Sequence, residues 1–319
     1  MECCPQVTHD EIIAAAERIR ESVERTALIE TGIRGKRVWL KCECMQTGGS
    51  FKLRGATNRL MLLSDEERAR GVVAFSSGNH AQGVAIAAKR LGIPAIIVMP
   101  SDAPELKVEG TRSQGAEIVF YDRYKESREE IAARIAAERG SVVVPSFDDP
   151  HIVAGQGTAG LEILAQLEEA GAPAPAQILV NCGGGGLSAG IALACPDAAI
   201  VTVEPDGWDD MRRSLELGEI VPVGPNPPPT LCDALQTPKV SPITFGILKA
   251  RGVKGMSVSE AETGAAVRWS WDRHRLVVEP GGAVSLAALL AGKVDIVPET
   301  VVLLSGGNID PALHARLVA

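Results

Sequence analysis

Lys52 sits within Thr47-Gly48-Gly49-Ser50-Phe51-Lys52-Leu53-Arg54-Gly55-Ala56, between a glycine-serine turn and the start of an apolar-periodic segment. A lysine amine at a strand-to-helix junction can be desolvated, which lowers its pKa and makes it a nucleophile able to hold a Schiff base. Two further stretches offer binding chemistry. Gly183-Gly184-Gly185-Gly186-Leu187-Ser188 follows an apolar run and opens a helical one, so its backbone N–H groups can converge on an anion such as a phosphate. Ser76-Ser77-Gly78-Asn79-His80 ends another apolar run, and its hydroxyls, glycine and amide could bind a carboxylate. The glycine run also satisfies a relaxed dinucleotide fingerprint, Gly184-x-Gly186-x-x-Ala189, with Glu204 at the end of the next expected strand. That keeps an NAD-dependent oxidoreductase in view. No residue set for hydride transfer accompanies the fingerprint, and the reading leaves Lys52 without a role. A non-catalytic amino-acid-binding module is a third reading, and it needs no reactive lysine.

The elements between these stretches must position them. A strand over 38–43 delivers the chain to Gly48-Gly49, and a helix after Lys52 ends near Leu63. Thr8 with Glu11, Ser64 with Glu67 and Ser259 with Glu262 have capping-box spacing; the first opens a helix running to about Val23. Apolar strands at 72–76, 95–99, 117–121 and 142–145 alternate with helical stretches that close at glycines, Gly92 and Gly115 among them. A second series has a helix over 157–170, a strand over 177–182, a helix, and a strand over 199–204. After a Pro/Gly-rich loop at 221–229 come a helix over 281–291 and a strand over 300–304 that leads into Ser305-Gly306-Gly307-Asn308. Alternation of this kind predicts right-handed βαβ units and parallel sheets, an α/β fold. Because Lys52 and its strand come before the first regular series, residues 1–68 and 147–319 are expected to form a discontinuous larger domain, with 69–146 inserted as a smaller one.

The 319 residues are 45% hydrophobic but only 3% aromatic, so Leu, Val, Ile and Ala must fill the core, as in helices packed on parallel sheets. A net charge of −8 without a Lys/Arg-rich run argues against nucleic acid as a partner. No window approaches a membrane span. A small metabolite is the expected partner. Seven cysteines, with no C-x-x-C pair and no zinc-ligand spacing, read as reduced thiols. The N-terminus lacks the basic and apolar regions of a secretory signal, and a cytoplasmic location is expected.

In order and separation, Ser50–Ala56, Ser76–His80, Gly183–Leu187 and Ser305–Asn308 resemble the motifs of the fold-type II pyridoxal phosphate enzymes. The likeness is to the threonine/serine dehydratase and serine racemase group, and Asp148-Asp149-Pro150 through Gly155-Gln156-Gly157-Thr158 shares it. The resemblance implies that Lys52 holds the cofactor as a Schiff base and later shuttles the α-proton. It places Phe51 beside the ring, Asn79 on the 3′-oxygen, Gly183, Gly184, Gly185, Gly186 and Leu187 on the 5′-phosphate, and Ser305 opposite the pyridine nitrogen. The substrate carboxylate would sit on the turn of Ser76, Ser77, Asn79 and His80, near Arg128. Ser77 matches the hydroxyl that works on the face opposite the lysine in racemases.

A serine hydroxyl cannot hold the ring nitrogen protonated as a carboxylate would, and the weaker electron sink favours β-elimination. The implied reaction is dehydration of threonine or serine to a 2-oxoacid and ammonia, with serine racemase and hydroxyaspartate dehydratase as alternatives. Glu204, Asp210 with its neighbour Asp209, and the main chain of Trp208 resemble the Mg²⁺ or Ca²⁺ site of the racemase-like branch. Homodimers are common in the group. The sequence departs from its relatives at Thr47-Gly48 and at Ala234, where many carry glycine. The chain ends shortly after Ser305, and no C-terminal regulatory domain is expected.

Overall fold

The computed structural model describes residues 7–76, 78–103, 105–123 and 125–319; Ser77 lies outside the described residues. Helix α1 (His9–Ile19) opens on the expected capping box of Thr8 and Glu11 and stops short of Val23. Strands β1 (Leu28–Ile33) and β2 (Lys36–Lys41) then form an antiparallel hairpin. Its turn residues, Arg34 and Gly35, both have positive φ (51° and 74°), the geometry that matches a two-residue turn to the strand twist. Helices α2 (Lys52–Met61) and α3 (Asp65–Arg70) follow, the latter on the Ser64–Glu67 capping box.

The next run is regular: β3 (Val72–Phe75), α4 (Asn79–Leu91), β4 (Ala95–Pro100), α5 (Glu105–Arg112), β5 (Glu117–Tyr121), α6 (Arg128–Arg139) and β6 (Val142–Val143). Its four strands form one sheet, β5-β4-β3-β6, parallel throughout.

The long helix α7 (Pro150–Glu169) returns the chain to the other sheet. It starts well before the expected Gly157, because Asp149 caps it through His151 N and Ile152 N, with Pro150 in its first turn. Then come β7 (Gln177–Asn181), α8 (Gly186–Ala194), β8 (Ala199–Pro205), α9 (Asp210–Leu217), α10 (Pro242–Ala250) and β9 (Lys254–Val258). Helices α11 (Glu260–His274) and α12 (Pro280–Leu290), strand β10 (Thr300–Leu303) and helix α13 (Pro311–Val318) complete the chain. This sheet has six strands in the order β1-β2-β10-β7-β8-β9, parallel except for the β1–β2 hairpin.

Strand periodicity divides the core. On β7, Ile178 and Val180 join the cluster under α7 and α8, whereas Leu179 faces the cluster under α12. Both faces are thus apolar, and such strands read as continuous hydrophobic runs. Helix α2 lies close against α7 because glycines meet there. A Cβ on Gly155 would come within 2.6 Å of Gly55 Cα, so neither position has room for a side chain. This contact fixes the helix that begins at Lys52. No helix among the described residues is long and apolar enough to cross a membrane.

Candidate active site

In parallel sheets ligand-binding loops gather at the carboxyl ends of the strands. Here the loops after β3, β7 and β10, with the segment before α2, border one cavity of about 650 Å³. That volume suits a cofactor with a small substrate.

Lys52 is the first residue of α2. Its Nζ donates to Ser146 O at 3.1 Å and lies 5.2 Å from the centre of the Phe51 ring. Burial pulls the amine down to about 8, against the opposing charge of Glu279. The segment is stitched to the loop after β10: Phe51 N donates to Ser305 O at 3.2 Å, and Ser50 bridges Gly306. Ser305 is itself buried and lines the cavity. The reactive amine and the hydroxyl expected to face a ring nitrogen therefore share one backbone framework.

Gly183 to Gly186 connect β7 to α8 and line the same cavity. Gly185 has φ +86°, and Thr244 Oγ1 donates to Gly184 O at 2.8 Å, which holds the turn. Among the described residues, the N–H groups of Gly184 to Leu187 make no hydrogen bond, and they lie at the start of a helix, where anions are favoured. A phosphate fits this cradle. The Phe147 ring packs where a Gly184 side chain would be. Gly184→Ala is expected to cost about 1–3 kcal/mol through overpacking. Urea denaturation checks this, and an unchanged midpoint would show that Phe147 does not close the loop.

The turn after β3 also borders the cavity, through Ser76, Gly78, Asn79 and His80. Ser76 Oγ accepts from Gly78 N at 3.1 Å, and Asn79 begins α4. His80 is buried and bonds Val144 O through Nε2 at 2.9 Å. Burial, then the Lys52 charge, pushes it down to about 3, so the ring is neutral and lends no positive charge to a carboxylate. Arg128 starts α6 in the cavity wall, stacked 5.4 Å over the Phe75 ring and bonded to Glu129 at 2.8 Å.

Glu204, Trp208 and Asp210 each bond the main chain. Both oxygens of Glu204 accept backbone N–H groups, from Met211 at 3.0 Å and Arg212 at 2.8 Å, so this carboxylate caps α9. Asp210 Oδ2 accepts from Val240 N at 2.9 Å, and the Trp208 indole donates to Pro228 O at 2.8 Å. Burial raises Glu204 and pushes Asp210 up to about 7. Among the described residues no group of three or more His, Cys, Asp or Glu side chains converges to hold a metal ion. The expected Mg²⁺ or Ca²⁺ finds no support in this arrangement, in which Glu204 and Asp210 hold the backbone around α9. The same bonds take Glu204 away from any ribose, which removes the support for a dinucleotide.

Several cavity residues escaped sequence reasoning. Glu279, in the residue before Pro280, is buried at the cavity edge and bonded by Asn79. Lys107 of α5 forms an ion pair with Asp233 across the cavity. Asn181, at the end of β7, donates to Gly281 O at 2.8 Å. The usable signal was an acidic residue directly before a Pro-Gly-Gly helix start.

Comparison with known proteins accords with this geometry. Residues 19–307 match the family model described as pyridoxal-phosphate dependent enzyme. The L-threo-3-hydroxyaspartate ammonia-lyase of Saccharomyces cerevisiae is 39% identical over 98% of this chain and 96% of its own. The L-threonine ammonia-lyase of Thermotoga maritima is also 39% identical, over 98% of this chain and 78% of that protein. Among solved structures, maize serine racemase superposes with a TM-score of 0.91 at 35% identity, covering 97% of this chain and 96% of that one. The chain belongs to the pyridoxal-phosphate dependent enzyme family, and its α/β architecture is that of the fold-type II members.

Proposed function

We propose that the protein deaminates a β-hydroxy amino acid, L-threonine or L-serine, to the 2-oxoacid and ammonia. The observation that carries this is the desolvated Lys52 amine in one cavity with the glycine cradle and Ser305. Pyridoxal phosphate, when bound, supplies an electron sink for the bonds at the substrate Cα. Lys52 would hold it, with Phe51 beside the ring, Asn79 at the 3′-oxygen, Gly183 to Gly186 and Leu187 on the phosphate, and Ser305 at the ring nitrogen. Ser76, Asn79 and His80 would receive the substrate carboxylate on the turn after β3, with Ser77 and Arg128 beside it.

Lys52, as a free amine, would take the α-proton, and the β-hydroxyl would depart with a proton as water. The resulting enamine tautomerises to an imine, and water converts that to 2-oxoacid and ammonia. Neutral Ser305 leaves the ring a modest sink, so loss of the β-hydroxyl along with the α-proton is the easier course.

A hydroxyaspartate is the second reading, because Lys107, Arg123 and Arg128 all line the cavity and could receive a second carboxylate. Racemisation of serine would draw on Ser77. The division into a larger domain of 1–68 and 147–319 and a smaller one of 69–146 follows the two sheets. A cytoplasmic homodimer accords with the habit of the group and with cysteines that are free among the described residues.

Incubation of the holoenzyme with threonine, serine and the hydroxyaspartates, measuring oxoacid and the configuration of the remaining amino acid, tests the assignment. Oxoacid from threonine or serine is the expected result. No oxoacid from any of them would refute it.

A further inference from the structure

The start of α12 carries a buried carboxyl that the proposed chemistry does not use. Glu279 is 1% exposed and lines the cavity with Lys52, Lys107 and Ser305. It precedes Pro280 yet makes no side-chain cap on its own helix. Instead Oε1 accepts from Asn79 Nδ2 at 2.5 Å, while Oε2, also buried, has no hydrogen-bond partner among the described residues. The other end of the Asn79 amide is held as well. Its Oδ1 accepts from Asn308 Nδ2 at 2.9 Å, and Asn308 Nδ2 also donates to Gly48 O at 2.8 Å. A polar row therefore links the turn before Lys52, the loop after β10, the first residue of α4 and the residue before α12.

Glycines make room for that row. A Cβ on Gly306 would strike Glu279 Oε1 and lie 3.1 Å from Asn79 Nδ2, and a Cβ on Gly49 would strike Asn308 Oδ1. The glycines flanking Lys52 and Ser305 in sequence thus serve side chains that reach between the motifs.

We infer that Glu279 is a positioning residue for the cofactor: with Asn308 it fixes the orientation of the Asn79 amide, so that the remaining Asn79 N–H faces the cavity. An asparagine amide has two N–H donors on nitrogen and an acceptor oxygen. Flipping Asn79 would set its oxygen against the Glu279 carboxyl and its NH₂ against that of Asn308, leaving both partners unmatched. The lock survives protonation. Burial pushes Glu279 up to about 7, against the charge of Lys107, and a proton on the unpartnered Oε2 leaves Oε1 free to accept.

The inference rests on the proposed placement of Asn79 against the cofactor, and its test reads cofactor binding instead of lyase activity. Glu279→Ala, Glu279→Gln, Asn79→Ala and the Glu279→Ala/Asn79→Ala double variant are titrated with pyridoxal phosphate, recording affinity and the visible absorption band across pH. Glu279→Ala is expected to weaken binding roughly tenfold, the scale of one charged hydrogen bond, and to shift the band. Glu279→Gln keeps an acceptor oxygen and should stay within about threefold of wild type. In the Asn79→Ala background Glu279→Ala should add nothing, because the group it orients is gone. Equal losses in both backgrounds, or wild-type affinity and band in Glu279→Ala, would overturn the inference. If Glu279→Ala fails to fold, Asn308→Ala should shift the band in the same way, and a wild-type band there overturns it equally. Wild-type protein that takes up no pyridoxal phosphate would refute the proposed function, whereas normal loading with indifferent variants would refute only the role of Glu279.

Discussion

Lys52→Ala is expected to lower deamination of the preferred substrate by at least about a thousandfold, while the protein folds as before. The size follows from losing two roles at once, the covalent anchor and the base for the α-proton, each of which can contribute a hundredfold or more. Folding should survive because, among the described residues, Lys52 Nζ makes a single hydrogen bond, to Ser146 O at 3.1 Å, and its deletion relieves a burial penalty on the charged amine.

Two measurements separate this outcome from a general loss of structure. Borohydride treatment followed by intact-mass spectrometry should add one reduced cofactor to wild type and none to Lys52→Ala. In apo-protein the amine, lowered to about 8, should react with pyridoxal phosphate along a rate profile rising through that pH. An ordinary lysine would rise only near pH 10. A colourless Lys52→Ala protein that still deaminates threonine would sink the assignment.

The parts of this architecture that were legible in sequence are those whose signal is local. Four consecutive βα alternations announce themselves because their strands are unbroken apolar runs; β4, Ala95–Pro100, buried along its whole length, lies where its pattern puts it. The two strands that went unread are edges of the six-stranded sheet. In β1, Leu28–Ile33, the burial is mixed and a glycine interrupts the run, while β9, Lys254–Val258, has no apolar run at all. The first helix was overextended because Val23 keeps helical phase; in the fold it packs on the cluster around Leu53 and Leu60 instead. Helix α7 begins before the expected residue 157 because Asp149 caps it, and Gly155 and Gly157 are contact points inside it.

The candidate site divides in the same way. Lys52, the glycine run and the turn at Asn79 were visible because each depends on its own neighbours. Glu279 meets Asn79 across 200 positions, and Lys107 meets Asp233 across 126. Nothing local marks such pairings. At Glu204 composition alone does not show the partners: it suits a cation, and the position of α9 relative to β8 turns both its oxygens onto main-chain N–H groups.

The same distinction applies to Arg54, two positions beyond the reactive lysine, whose replacement by methionine should destabilise the protein by about 3–5 kcal/mol. Arg54 is fully buried. Its guanidinium donates to Glu43 through Nε and Nη2, each at 2.8 Å, and to Glu162 through Nη1 at 2.6 Å and Nη2 at 2.8 Å. Lys41 bonds the same Glu162 at 2.6 Å. Removing the arginine leaves Glu43, which is completely buried, with Thr26 as its remaining side-chain partner at 2.6 Å. An uncompensated buried carboxylate is the costly result. Lysine at 54 should rescue only part of the loss, because a point charge cannot serve two carboxylates as a planar fork does.

Glu43 supplies the pH test. Burial raises its carboxyl, but the charge and bonds of Arg54 outweigh that and hold it below the ordinary range. A depressed pKa adds stability that is present above the ordinary carboxylate value and lost as pH falls through the folded one. Wild type should therefore lose stability in acid more steeply than Arg54→Met, in which Glu43 no longer gains from ionising. Urea midpoints at neutral and acid pH measure both effects, and an Arg54→Met midpoint equal to wild type at neutral pH would show that the network stabilises nothing. Since Arg54 lies in the first turn of α2, its loss should also loosen the helix end that aims Lys52 and lower activity even where the protein remains folded.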